Sequence, residues 1–203
     1  MTATTQPSRG RAPSRVLGAA GILGGTALLA AFVLEIPSGL NDVRLALFNI
    51  GAIAVVVAVH QRQVAASPNL ARPVAIAAIA ANLMYLMRAV VLPNGPWHPF
   101  AGDSGWVLFY SGLAMWLADA AFGFVTVRLG AVTRLGALAL TIGSVLAILG
   151  MDRLELTSQA NPTIFGPISL IGIALNGIAW ILLGLDSMRG GSPTGKLRSA
   201  LTR

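Results

Sequence analysis

Apolar residues run through this chain in six long blocks, at about 16–36, 43–60, 73–92, 105–127, 134–151 and 163–188, with polar residues gathered between them. Crossing about 30 Å of hydrocarbon at ~1.5 Å per residue takes roughly 20 residues, so each block has the length of a bilayer span. An open strand in lipid would leave backbone N–H and C=O groups unpaired, and all six blocks are therefore predicted to be helices. The fold class that follows is all-α, a polytopic transmembrane six-helix bundle over residues 15–189. Two tails flank it, 1–14 and 190–203, rich in Gly, Pro, Ser and Thr; they cannot bury apolar area and are predicted to be disordered. The first block follows a basic tail, as a signal peptide would, but it is longer than a 7–15-residue signal core, which favours a retained helix.

Small residues predict how the helices approach one another, because close backbone contact replaces the hydrophobic drive inside a bilayer. In the fifth block Gly136, Ala139, Gly143, Ala147 and Gly150 recur at three- and four-residue steps. The first block carries Gly21 and Gly25 in a GxxxG spacing, with Gly18 nearby, and the second carries Gly51, Ala54 and Ala58. Packing within one bundle and packing between copies both use such stripes, and the first is the commoner use.

Polar residues within the apolar blocks are costly unless paired or wetted, and they are where function would sit. Asp119 is the principal one, too deep in the fourth block for its short side chain to reach either interface. Gly112, Met115, Trp116, Phe122, Gly123 and Thr126 share its helical face. Asn82 and Asn176 fall at similar depth in the third and sixth blocks, so the three are expected to form one mid-membrane cluster. Tyr85 and Arg88 continue the stripe from Asn82 outward, and Asn49 enters from the same side. Two readings stand side by side: a proton- or cation-coupling carboxylate lining a cavity with these partners, or a satisfied hydrogen-bond network joining three helices. Asp186, at the inner end of the last block beside Arg189, reads as interfacial. Pro167 is expected to kink the outer third of that block.

Charge orients the chain. Of its 14 basic residues, 11 lie in the two tails and in the loops that share a side with them: Arg9, Arg11, Arg15, Arg62, Arg72, Arg128, Arg134, Arg189, Lys196, Arg198 and Arg203. The opposite loops hold Arg44 and Arg153 beside Glu35, Asp42, Asp103, Asp152 and Glu155. The positive-inside rule places both termini in the cytoplasm and the protein in a cell's inner membrane, as a multi-pass protein. The overall +7 charge does not imply nucleic acid, since these arginines are scattered at helix ends rather than gathered on one face.

Composition confirms the class, with 55% hydrophobic residues, 10% charged and a mean hydropathy of +0.75. It also narrows the chemistry. There is no cysteine, hence no disulfide, thiolate nucleophile or Cys-held metal. The two histidines, His60 and His98, fall on opposite faces of the membrane and cannot share a haem or metal. The one lysine, Lys196, lies in a tail, which removes the usual retinal attachment. No HExxH, GxSxG, P-loop or paired-Asp motif is present, so neither an enzyme activity nor a cofactor is expected. The proline-rich loop 93–103, with Trp97 and Phe100, reads as part of an interfacial aromatic belt.

Three segments together carry a resemblance: Ala121-Phe122-Gly123-Phe124 through Arg128-Leu129-Gly130, then Arg134-Leu135-Gly136, then Ala179-Trp180-Ile181-Leu182-Leu183-Gly184. The chain resembles a family of uncharacterised six-span bacterial membrane proteins, a domain of unknown function. The resemblance implies six helices and carries over no activity or site. The expectation is a membrane protein that binds or moves a small solute or proton through its polar cluster, with lipids, a small solute and a membrane-protein partner or second copy as candidate partners. Two alternatives remain open: an accessory or scaffold subunit, and the substrate-binding component of a vitamin uptake system with a pocket under the 93–104 loop.

Overall fold

A computed structural model describes residues 11–33, 38–87, 104–150 and 167–189. Within them the chain forms six α-helices and no strand: α1 (Arg11–Val33), α2 (Ser38–Ala66), α3 (Pro68–Leu86), α4 (Ser104–Leu129), α5 (Arg134–Leu149) and α6 (Pro167–Arg189). The all-α bundle read from the hydropathy pattern is the observed fold. Four segments are long and apolar enough to cross a membrane: Val43–Ala66, Pro68–Leu86, Tyr110–Leu129 and Ile168–Arg189. Ser14–Ala30 and Arg134–Leu149 are shorter apolar helices.

The distribution of side chains is that of a protein dissolved in lipid. Val16, Leu23, Ile76, Phe124, Leu135, Leu149 and Ile171 lie exposed on the outside, while Asn49, Gln63, Asn82, Asp119, Ser144 and Asn176 are fully buried. In water the arrangement would strand apolar area; in a bilayer it hides the costly groups.

The helices close into a ring in the order α1, α2, α3, α4, α5, α6 and back to α1, with α2 also touching α6 and α4 across the middle. Glycines set the spacing. A Cβ on Gly18 would lie 2.5 Å from Gly184 O, and one on Gly25 would lie 2.5 Å from Gly177 O, so α1 and α6 run antiparallel with their backbones in contact. Gly24 and Gly51 do the same between α1 and α2, and Gly143 and Gly172 between α5 and α6. The stripes noted in the sequence therefore face inward. Gly136, Gly143 and Gly150 all meet α6. The GxxxG pair is divided between two seams: Gly21 packs chiefly on Val55 of α2, with Trp180 O of α6 3.5 Å from an added Cβ, whereas Gly25 packs on α6. Helix α1 sits between two neighbours, and residues four apart in it are turned by about 40°, enough to serve both.

Several boundaries differ from those expected. Helix α1 starts at Arg11, inside the stretch assigned to a disordered tail. The expected 61–72 loop shrinks to the single residue Ser67. Gln61, Arg62, Gln63, Ala65 and Ala66 are good helix formers and simply continue α2. What stops it is Pro68, which keeps the preceding residue out of the α region: Ser67 has φ −160° and ψ 93°. Pro68 then opens α3, where a missing N–H costs nothing. Ser67 serves both helices, donating its N–H to Gln63 O at 3.0 Å and accepting from Ala71 N at 3.0 Å. Pro167 opens the described part of α6; residues 163–166 ahead of it, and with them the expected kink, lie outside the described residues. Helix α4 ends at Gly130, whose φ of +60° and bond to Thr126 O at 3.1 Å form a left-handed cap.

Helix directions bring Arg15, Arg62, Arg72, Arg128, Arg134 and Arg189 to one end of the bundle, here called the basic end. Residues 1–10, 34–37, 88–103, 151–166 and 190–203 lie outside the described residues, and with them Arg88, His98 and the proline-rich loop.

These seams predict a contrast between two glycines. A Gly184→Leu substitution drives a side chain into Gly18 O, 2.6 Å from the new Cβ, and into Ile22. It should cost about 1–3 kcal/mol as an overpacked contact and lower the thermal midpoint in mild detergent. Gly130→Ala meets no atom within 4 Å and costs only its left-handed conformation, about 1 kcal/mol. A Gly184→Leu midpoint no lower than that of the parent protein would contradict the α1–α6 seam.

Candidate functional site

The third and fourth helices meet at the one buried carboxylate in the middle of the bundle. Asp119 and Asn82 are both fully buried, and Asn82 Nδ2 donates to Asp119 Oδ1 at 3.0 Å and to Ala78 O at 2.9 Å. The other oxygen of each, Asp119 Oδ2 and Asn82 Oδ1, has no hydrogen-bond partner. Helix α4 has a wide buried arc that presents Trp116 to α2, Gly123 to α5 and Asp119 to α3. On α3 the small residues Ala71, Ala75 and Ala78 precede Asn82 on the buried face and let the helices approach.

On α2, Asn49 is a further buried polar residue toward the end away from the six arginines. It is fully buried; its Nδ2 donates to Leu45 O at 2.8 Å within its own helix, and its Oδ1 has no partner. Tyr85 is half-buried against the core and lies within electrostatic reach of Arg44 on α2. Asn176 does not join them. It lies on the α5–α6 seam, where Ser144 Oγ donates to its Oδ1 at 3.1 Å and its own Nδ2 donates to Gly172 O at 3.0 Å. The expected three-residue cluster is thus two separate pairs. Depth along the membrane was shared, but the ring order puts α6 next to α1 and α5 rather than beside α3. Arg88 lies outside the described residues.

A second polar contact lies nearer the basic end. Gln63 Nε2 donates to Thr126 Oγ1 at 2.6 Å, and Thr126 Oγ1 donates to Phe122 O at 2.6 Å. Gln63 Oε1 is buried and unpartnered. Gln63 falls in the loop expected from hydropathy; with α2 running to Ala66, Asn49, Val56 and Gln63 recur every seven residues on one face.

At the basic end a clasp ties three elements. Arg62 Nη2 donates to Ser187 O at 2.9 Å, both its Nη atoms reach Asp186 O at 3.3 Å, and Nη1 stands 4.0 Å from Asp186 Oδ2. The cation thereby meets the free carbonyls at the C-terminus of α6. Asp186 Oδ2 also accepts from Thr133 N at 2.9 Å, at the start of α5. Asp186 is therefore a junction rather than a partner of Arg189 alone, and Arg62 does more than set topology. Only the fold could reveal this, since 124 residues separate the pair.

The arrangement provides one acid, several amide oxygens without donors, one buried donor without an acceptor at Arg44 Nε, and no group of three or more His, Cys, Asp or Glu side chains among the described residues. Such a set suits donors: a proton, water, or a solute bearing N–H or O–H groups. No protein-family model, no curated protein and no solved structure matches this chain.

The clasp yields a stability test. Asp186→Ala leaves Thr133 N–H without its acceptor and Arg62 without its carboxylate, and should cost about 1–3 kcal/mol. Arg62→Ala in the same background should then cost less than it does alone, as expected of coupled partners. The measurement is a double-mutant cycle on thermal midpoints in detergent; additive effects would mean that the two residues do not interact.

Proposed function

We propose that this protein is an inner-membrane protein with six crossings, both termini in the cytoplasm, which binds or moves a proton or a small solute at the Asp119–Asn82 corner. The observation that carries the reading is Asp119 itself: a carboxyl fully buried among apolar helices, with one oxygen bonded to Asn82 and the other without a donor. An acid kept at that depth for structure alone would have both oxygens satisfied, because an unpaired one lowers stability.

Six crossings are supported by packing rather than by length. Helix α5 lies against α6 from Leu183, opposite Gly136, to Ser169, opposite Gly150. Helix α1 runs beside the same partner from Gly184 to Gly177. Since α6 has the length and apolarity of a span, its two neighbours occupy the same depth. The cytoplasmic assignment of the basic end rests on the six arginines gathered there.

The inward-facing glycines count against a scaffold that uses them to grip other membrane proteins, since they are spent on α2 and α6. The pocket required of a vitamin carrier falls beneath residues outside those described.

Two measurements test the reading. Reporter fusions at residues 1 and 203 should both report the cytoplasm; opposite locations would remove the even number of crossings. Asp119→Asn should stay folded while losing proton uptake, read with a pH-sensitive dye in reconstituted vesicles, or losing a small molecule that otherwise copurifies in native lipid. Removing one charge-assisted hydrogen bond, about 1.5–3 kcal/mol, corresponds to a loss of about tenfold to a hundredfold in affinity. A variant indistinguishable from the parent in both assays would overturn the proposal.

A further inference from the structure

The corner where α2, α3 and α4 meet is unevenly furnished about Asp119. Two contacts fix the register of the parallel helices α2 and α4: the rings of Phe48 and Trp116, with centroids 6.4 Å apart, and the Gln63–Thr126 hydrogen bond. Asp119 stands between them, about 4–5 Å along the axis from Trp116 and about 10 Å from Thr126 at ~1.5 Å per residue. Toward the basic end the corner is filled by Val56, Val59, Ala78 and Phe122, all fully buried. Beyond them the next side-chain polar atoms are His60 Nδ1, buried without a partner, and Gln63 and Thr126, which are bonded to each other. Away from the basic end the buried rings of Phe48 and Trp116 share the space with polar side chains, Asn49, Ser111, Tyr85 and Arg44.

Three buried oxygens on the polar side lack donors: Asn82 Oδ1, Asp119 Oδ2 and Asn49 Oδ1. Each is an acceptor, so they cannot satisfy one another. One added proton changes that. Bound to Asp119 it makes the carboxyl a donor, beside an amide whose own oxygen is free. A proton also needs no space, which matters where Asn49, Asn82 and Asp119 are all fully buried.

We propose that the species bound at Asp119 is a proton, that it reaches the carboxyl from the non-cytoplasmic side past Tyr85 and Asn49, and that Val56, Val59, Ala78 and Phe122 seal it from the cytoplasm. This rests on the reading of Asp119 given above and adds the identity of the bound species and its side of entry. The step is a plain transfer: hydronium on the non-cytoplasmic side gives up a proton, an O–H bond forms on the Asp119 carboxylate, and water is left; release reverses it. The other titratable side chains described on the helices packed against α4 are Arg44, His60 and Arg62 on α2, Arg72 and Tyr85 on α3, and Arg134 on α5. Asn82 is the sole hydrogen-bond partner of Asp119 among the described residues, and Arg62 is engaged by Asp186. No cation therefore neutralises the carboxylate directly.

The test is infrared difference spectroscopy on full-length protein in vesicles of one orientation, with pH steps applied to one side at a time. The C=O band of a protonated carboxyl, assigned by its loss in Asp119→Asn, should respond to pH on the non-cytoplasmic side and not to pH on the cytoplasmic side. Phe122→Ser, or Val59→Ser should the first variant fail to fold, breaches the apolar seal and should make the band respond from both sides. A band that answers to cytoplasmic pH in the parent protein would overturn the side of entry while leaving Asp119 as the exchanging group. The absence of any Asp119-dependent band at every tolerated pH would overturn both this inference and the reading on which it rests.

Discussion

Everything inside this bundle depends on helices that touch backbone to backbone. Where Gly18 faces Gly184, Gly25 faces Gly177, Gly24 faces Gly51 and Gly143 faces Gly172, a single added methyl group would collide with a carbonyl or a main-chain atom. In a bilayer this closeness is what makes association favourable, because lipid chains are as apolar as leucine and give no reward for hiding it. The glycine seams hold α1, α2, α5 and α6 together, and their grip leaves α2 in the interior with contacts on both sides of the ring. Only in that position can Asn49 and Gln63 be buried rather than turned to lipid.

Polar groups then follow a simple division. Those on the α5–α6 seam are matched: Ser144 with Asn176, and Ser169 Oγ with Ala147 O at 2.8 Å. They behave as interhelical fasteners. Those on the α2–α3–α4 corner are only half matched, with an oxygen left over on each of Asn49, Gln63, Asn82 and Asp119. Two seams of one bundle, built from the same kinds of residue, differ in whether their hydrogen bonds close. That difference, in which polar atoms are left without partners, sets the two seams apart more clearly than residue type does.

Much of the fold was legible because lipid imposes a strict rule on hydropathy: six apolar blocks became six helices. The pairing of Asn82 with Asp119 was foreshadowed by equal depth in adjacent blocks, and blocks adjacent in sequence proved adjacent in the ring. Asn176 had the same depth and went elsewhere, since depth says nothing about which helices are neighbours around a ring. The extension of α2 through Gln63 was hidden by Arg62, which reads as a loop residue until its guanidinium is seen resting on the carbonyls of α6. The direction in which each glycine faces was equally out of reach: a stripe names a close contact and leaves the partner unspecified.

The joint at Ser67 has a mechanical implication. With one residue between them, α2 and α3 cannot slide along each other or swing apart at that end, and their shared residue is hydrogen-bonded into both ladders. They form a stiff hairpin that carries Asn49 and Asn82 as a unit. Helix α4 is bounded instead by a left-handed glycine at Gly130, around which no atom crowds. The acid stands on α4, opposite that hairpin, so the Asn82–Asp119 hydrogen bond is what ties the two together at mid-height.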